Sequence, residues 1–165
     1  MIAASLRTAA LPALTRCASA ASRFSSSAAR RAFTSSSYQL ARRYSKDHEW
    51  ADLEDGQSLA TVGITKHAAN QLGDVVFVEL KSKGTSVEEG AELGTIESVK
   101  AVSELYAPLS GIIEAVNEQV VEDPSMINTS PESEGWIIKL NVTSPAEFKN
   151  LLSEEAYKAY VAEQE

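Results

Sequence analysis

The chain of 165 residues has one cysteine, two histidines and two methionines, and after residue 43 it has no arginine. Each scarcity excludes something. Cys17 has no partner for an intramolecular disulfide, and it lies in an amino-terminal segment of distinct composition, so the rest of the chain offers neither thiolate ligand nor cysteine nucleophile. His48 and His67 lack the His-x-x-x-His spacing of a helical metal site. No apolar run approaches the roughly 18 to 20 residues of a membrane-spanning helix. A Gly-x-Ser-x-Gly elbow and a phosphate-binding loop are also absent.

What is present divides at residue 43. Residues 1 to 43 contain all seven arginines, many alanines and serines, no lysine and no acid. That is the pattern of a mitochondrial transit peptide; a secretory signal needs an apolar stretch that these arginines interrupt. A basic tail for nucleic acid or acidic lipid would use lysine as well. The expectation is a disordered transit peptide over 1–43, cleavage close to Arg42–Ser45, a mature domain over 44–165 and residence in the mitochondrial matrix. That domain has eight lysines against all twenty-three acidic residues, a formal charge of −15. Such a field disfavours nucleic acid and favours docking onto basic protein surfaces.

The mature segment reads as short strand-like runs: LATVGI, DVVFVEL, LGTIESV, AVSELYA, GIIEAVN and WIIKLNV. Turn signals such as Lys83-Gly84, Glu89-Gly90 and Ser110-Gly111 separate them. Many short strands at this spacing predict a mainly β, antiparallel sandwich or barrel. One short helix interrupts it over Lys66 to Leu72, with Thr65 as cap and Gly73 as stop. At the other end Ser144-Pro145-Ala146-Glu147 predicts a capping box, and Ser153 a second cap, so the C-terminal helical region breaks between them.

Within this frame Lys100 is conspicuous. Glu97, Lys100 and Glu104 have the spacing of a helical charge stripe, but Gly94, Thr95, Ile96 and Val99 are poor helix formers and strand-like runs lie on both sides. The hairpin reading is the better one. A lysine at a hairpin tip offers its amine on a flexible stem to a modifying enzyme. Upstream, Gly84-x-x-Val87-x-x-Gly90-x-x-Leu93-x-x-Ile96-Glu97-x-x-Lys100 resembles the fingerprint of lipoyl and biotinyl carrier domains, and Ala107-Pro108-Leu109-Ser110-Gly111 resembles the strand that follows the modified lysine. Biotin carriers place methionines beside the lysine, where Val99 and Ala101 stand here. Acyltransferase lipoyl domains place an acid two positions earlier, where Ser98 stands. Glu97-Ser98-Val99-Lys100-Ala101 resembles the lipoylation motif of the glycine cleavage H-protein family, as do Asp47-His48-Glu49-Trp50, Val62-Gly63-Ile64-Thr65, Leu72-Gly73-Asp74-Val75, Ile127-Asn128 and Gly135-Trp136.

The resemblance implies an antiparallel barrel-sandwich hybrid with a short internal helix and C-terminal helices. It also implies a non-catalytic carrier with lipoate amide-linked to Lys100. Such a carrier takes an aminomethyl group from the pyridoxal phosphate-dependent glycine decarboxylase to the tetrahydrofolate-dependent aminomethyltransferase, and dihydrolipoamide dehydrogenase reoxidises the arm. A lipoate-attaching enzyme is a fourth implied partner, and a monomer is the simplest state. Glu49, His67 and Glu104 are the positions the resemblance places near the arm; solvated acids and a helix-surface histidine are the plainer alternatives. A lipoate donor serving other mitochondrial dehydrogenases uses the same residues. A metal-dependent hydrolase built on the histidines and carboxylates is the reading from a different class.

Overall fold

A computed structural model describes residues 41–164. Among these residues nine strands form two antiparallel sheets. The larger has the order β1-β2-β3-β9-β8-β5, from β1 (Ala41–Tyr44), β2 (Glu49–Leu53), β3 (Leu59–Ile64), β5 (Ser86–Val87), β8 (Gly111–Val116) and β9 (Ile138–Val142). The smaller has β6 (Glu92–Ser98) between β4 (Val75–Leu80) and β7 (Val102–Tyr106). Alternation along the strands turns Val62, Ile96, Leu105, Ile113, Ile138 and Leu140 inward, and a register shift between Glu92 and Gly94 brings Leu93 in as well; all are buried in one core shared by the two sheets. This is the expected barrel-sandwich arrangement.

Helix α1 (Lys66–Leu72) has the expected ends: the Thr65 hydroxyl accepts the Ala68 N–H, and Gly73 leaves the helix at φ +75°. Gly84 and Gly90 also have positive φ, as their turns require. Two further one-turn helices, α2 (Glu118–Glu122) and α3 (Ser125–Thr129), occupy what reads as loop around Pro124. Neither has a side-chain cap, which is why the sequence does not announce them. Asn117, at the start of α2, instead donates to the carbonyls of Glu134 and Trp136.

At the C-terminus α4 (Pro145–Phe148) and α5 (Glu154–Ala162) are separated as expected, and Ser153 caps α5 through the Ala156 N–H. The capping box at Ser144 does not form. Glu147 accepts instead from the N–H and hydroxyl of Ser110, at 2.7 and 3.0 Å. A carboxylate with two donors across the fold has no reason to turn back to its own helix end.

Residues 1–40, and with them most of the expected transit peptide, lie outside the described residues; its last three expected residues, 41–43, lie in a strand. Ala41–Tyr44 pairs with Trp50–Leu53. The Arg42 guanidinium binds both Asp52 carboxylate oxygens, at 2.8 and 2.7 Å, and lies 4.1 Å from the centre of the Trp50 ring. A countercharge across the strand pair makes this arginine structural.

Candidate functional site

The β6–β7 hairpin carries Lys100 at an exposed tip. Ser98 organises the turn. Its N–H donates to the Ala101 carbonyl at 2.8 Å, and its hydroxyl accepts the N–H groups of Lys100 and Ala101 and donates to the Ala101 carbonyl. A serine hydroxyl reaches these groups as both donor and acceptor, whereas an ionised acid only accepts. Val99 donates its N–H to Asp74 O at 3.0 Å and leaves its side chain in solvent. Glu97 lies between Phe77 and Val102 in the sheet register, on the exposed face of the smaller sheet.

The lysine stem lies over Gly73. A Cβ built at residue 73 would stand 3.1 to 3.4 Å from Lys100 Nζ, Cε and Cδ. Beside it, between edge strand β7 and helix α1, is a cleft of about 300 Å³. Ile64, Ile96, Leu72 and Leu105 give it apolar walls, and Glu49, Glu104, Asp47, His48 and Gln71 supply its polar lining.

Of the three arm-pocket candidates, Glu49 and Glu104 line this cleft and His67 does not. Glu49 is 2% exposed; one carboxylate oxygen accepts the Tyr106 N–H and the other the Ser45 hydroxyl. Burial pushes its pKa up, and these hydrogen bonds pull against that rise. No described ion pair includes it. Glu104 is exposed and accepts from the Tyr106 hydroxyl. One helical turn separates His67 from Gln71, whose amide nitrogen lies 2.8 Å from His67 Nε2. Gln71 therefore takes the wall position that the sequence reading gave to the histidine. An uncharged residue gave no signal for that choice.

The missed residue with the most connections is His48. Its φ of +71° is the only positive value among the described non-glycine residues. Three neighbours hold it there: its carbonyl accepts the Thr65 N–H, its Nδ1 is 2.7 Å from the Tyr157 hydroxyl, and its ring is 4.8 Å from that of His67. Tyr157 also bonds Thr65 Oγ1 and stacks on Tyr44, so one phenol ties α5 to the cleft wall and to β1. Among the described residues, no group of three or more His, Cys, Asp or Glu side chains is arranged to hold a metal ion.

Burial holds the His48 pKa below the usual histidine value of about 6.5, the neighbouring His67 lowers it further, and Asp47 opposes both. The unfolded chain therefore takes up this proton first as the pH falls. The stabilisation is complete above about pH 6.5 and is lost as the pH falls through the folded pKa. Urea midpoints should decline on acidification from neutral pH, and His48→Asn, which tolerates positive φ, should flatten that decline. An unchanged slope in the variant would assign the loss to other groups. Glu49 acts in the opposite sense: its raised pKa adds stability as the pH falls towards the carboxylate range.

Comparison with known proteins gives a consistent picture. The family profile described as Glycine cleavage H-protein matches residues 42–164. The chain is 47% identical over 123 residues to the glycine cleavage system H protein of Thermotoga maritima, covering 74% of this chain and 98% of that one. It is 44% identical over 128 residues to a Schizosaccharomyces pombe protein named as a mitochondrial glycine cleavage system H protein, covering 78% and 75%. The crystal structure of a glycine cleavage system H protein from Mycobacterium marinum superposes with a TM-score of 0.66 at 38% identity, covering 75% of this chain and 96% of that one.

Proposed function

The chain belongs to the glycine cleavage H-protein family, and from that premise we propose that Lys100 is the residue through which it bears lipoate. It is the carrier of that system and catalyses no reaction by itself. The observation that carries the assignment is the lysine's position: its amine is exposed at a hairpin tip, its stem lies along a glycine, and an apolar-walled cleft begins beside it. The residues present fit the group. The cleft has the size and apolar walls for a linear acyl chain, and its lining includes a buried carboxylate that belongs to no described ion pair.

When attached, lipoate supplies a dithiolane on a flexible arm that takes up and gives up the aminomethyl group. The chain's own residues do the rest. Ser98 holds the turn so that Lys100 projects. Ile96, Leu105 and Leu72 exclude water from the arm's length. Glu49 keeps free lone pairs on both carboxylate oxygens, with which an arriving ammonium would form a charge-assisted hydrogen bond. Glu104, at the rim, adds a second carboxylate. Tethering replaces free diffusion with a high effective concentration at each partner.

Those partners are glycine decarboxylase, the aminomethyltransferase, dihydrolipoamide dehydrogenase and a lipoate-attaching enzyme, and the compartment is the mitochondrial matrix. The arginine-rich, acid-free leader and the mitochondrial name of the fission-yeast relative support the compartment. Peptide mapping of the protein isolated from mitochondria tests the assignment: the peptide spanning Lys100 should carry a lipoyl mass increment. A fully unmodified Lys100 in that material would overturn it.

A further inference from the structure

We propose that Asn128 is a positioning residue for Lys100, acting through the Gly73–Val75 loop on which the lysine lies. This rests on the reading of Lys100 as the attachment site. Asn128 is exposed and has no place in the core, yet both ends of its side-chain amide are bonded. Its amide nitrogen donates to Gly73 O at 2.6 Å and its amide oxygen accepts the Val75 N–H at 3.0 Å. Only one orientation of an asparagine satisfies both bonds, and neither an aspartate nor an alanine can make the pair.

The loop needs such a clamp. Gly73 has φ +75° and ψ −150°, a conformation that few residues other than glycine hold unaided. The loop in turn holds the hairpin, because Asp74 O accepts the Val99 N–H at 3.0 Å. The lysine stem rests against the Cα of Gly73, in space that any side chain there would fill. A continuous path therefore runs from the core to the reactive amine. Buried Ile127 anchors α3, Asn128 fixes the loop, the loop fixes Val99, and Lys100 follows in the chain. Leu72 and Gln71, which line the cleft, immediately precede the same loop, so the clamp also sets where the arm's root stands relative to its groove. A preset amine reaches attack geometry without first searching for it.

The test uses the full unmodified chain and a lipoate-attaching enzyme, comparing wild type, Asn128→Asp, Asn128→Ala and, as a control on the same helix, Thr129→Ala. Asn128→Asp should lower kcat for acylation of Lys100 about tenfold with a small change in KM, since the docking surface is retained and the alignment is lost. Amide exchange should quicken at Val75 and Val99 while Ile138 and Leu140 keep their protection. Gly73→Ala should act in the same direction by displacing the lysine stem. Acylation of Asn128→Asp at the wild-type rate would overturn the proposal. So would a rate loss accompanied by faster exchange in β9, which would mark general destabilisation. A wild-type chain that is not acylated at Lys100 sinks the attachment reading itself, and this proposal with it.

Discussion

Lys100→Arg should abolish lipoylation and with it all aminomethyl transfer in a reconstituted glycine cleavage system, while the fold stays intact. The substitution keeps the charge and the approximate length of the side chain, but a guanidinium does not form the lipoyl amide. Lys100 is exposed and makes no described ion pair, so unfolding should move by no more than about 0.5 kcal/mol. Lys149→Arg, on an exposed lysine at the end of α4, should leave both readouts unchanged. Residual transfer by Lys100→Arg above the level without any carrier would mean that another group bears the cargo.

A chain that begins at Tyr44 should be much less stable than one that begins at Ala41. The shorter chain loses the pairing of residues 41–43 with Ala51–Leu53. It also loses the two-point bond from Arg42 to Asp52, the Arg42 contact with Glu132 O, the stacking of Arg42 on Trp50 and the bond from Arg43 to Leu151 O. Asp52, half-buried, keeps its charge without a partner. The Arg42 pKa is raised chiefly by its hydrogen bond to Asp52, with burial opposing the rise. Partial solvent exposure reduces its worth, so about 2 to 4 kcal/mol is expected for the whole set, a fall in Tm of about 10 °C. Calorimetry of the two chains, with Arg42→Ala in the longer one giving roughly half the loss, measures it. Equal melting temperatures would show that β1 is dispensable.

The same strand shows where sequence reasoning fails. Arg42 and Arg43 continue the arginine-rich, acid-free composition of the residues before them, and composition gives no means of seeing that they lie in a strand; the partner that shows it, Asp52, lies across a turn. The hairpin was legible for the opposite reason. Gly84 and Gly90, with apolar residues at every third position between and after them, precede Lys100, and both glycines stand at positive φ in turns. Helix α1 declared itself through Thr65 and Gly73, whereas α2 and α3 are single turns held by backbone bonds and buried Val120 and Ile127. In the cleft, Glu49 and Glu104 are named by the family resemblance, which names His67 with them. Gln71, His48 and Asn128 owe their roles to what the fold brings beside them.

The pairing of β3 with β9 has a consequence for how the chain matures. Val62 meets Ile138 and Leu59 meets Asn141, so the middle of the larger sheet joins segments almost eighty residues apart in sequence. A polypeptide delivered amino end first can form the local β1–β2–β3 meander early, but it has nothing to lay against the far side of β3 until β9 emerges. During that interval β3 is an unprotected edge, its outer row of backbone N–H and C=O groups unpaired even after the strands of the smaller sheet have emerged. Synthesis or translocation that stalls between these segments would leave a species prone to aggregation, and a chaperone that binds extended apolar strands would find its target there.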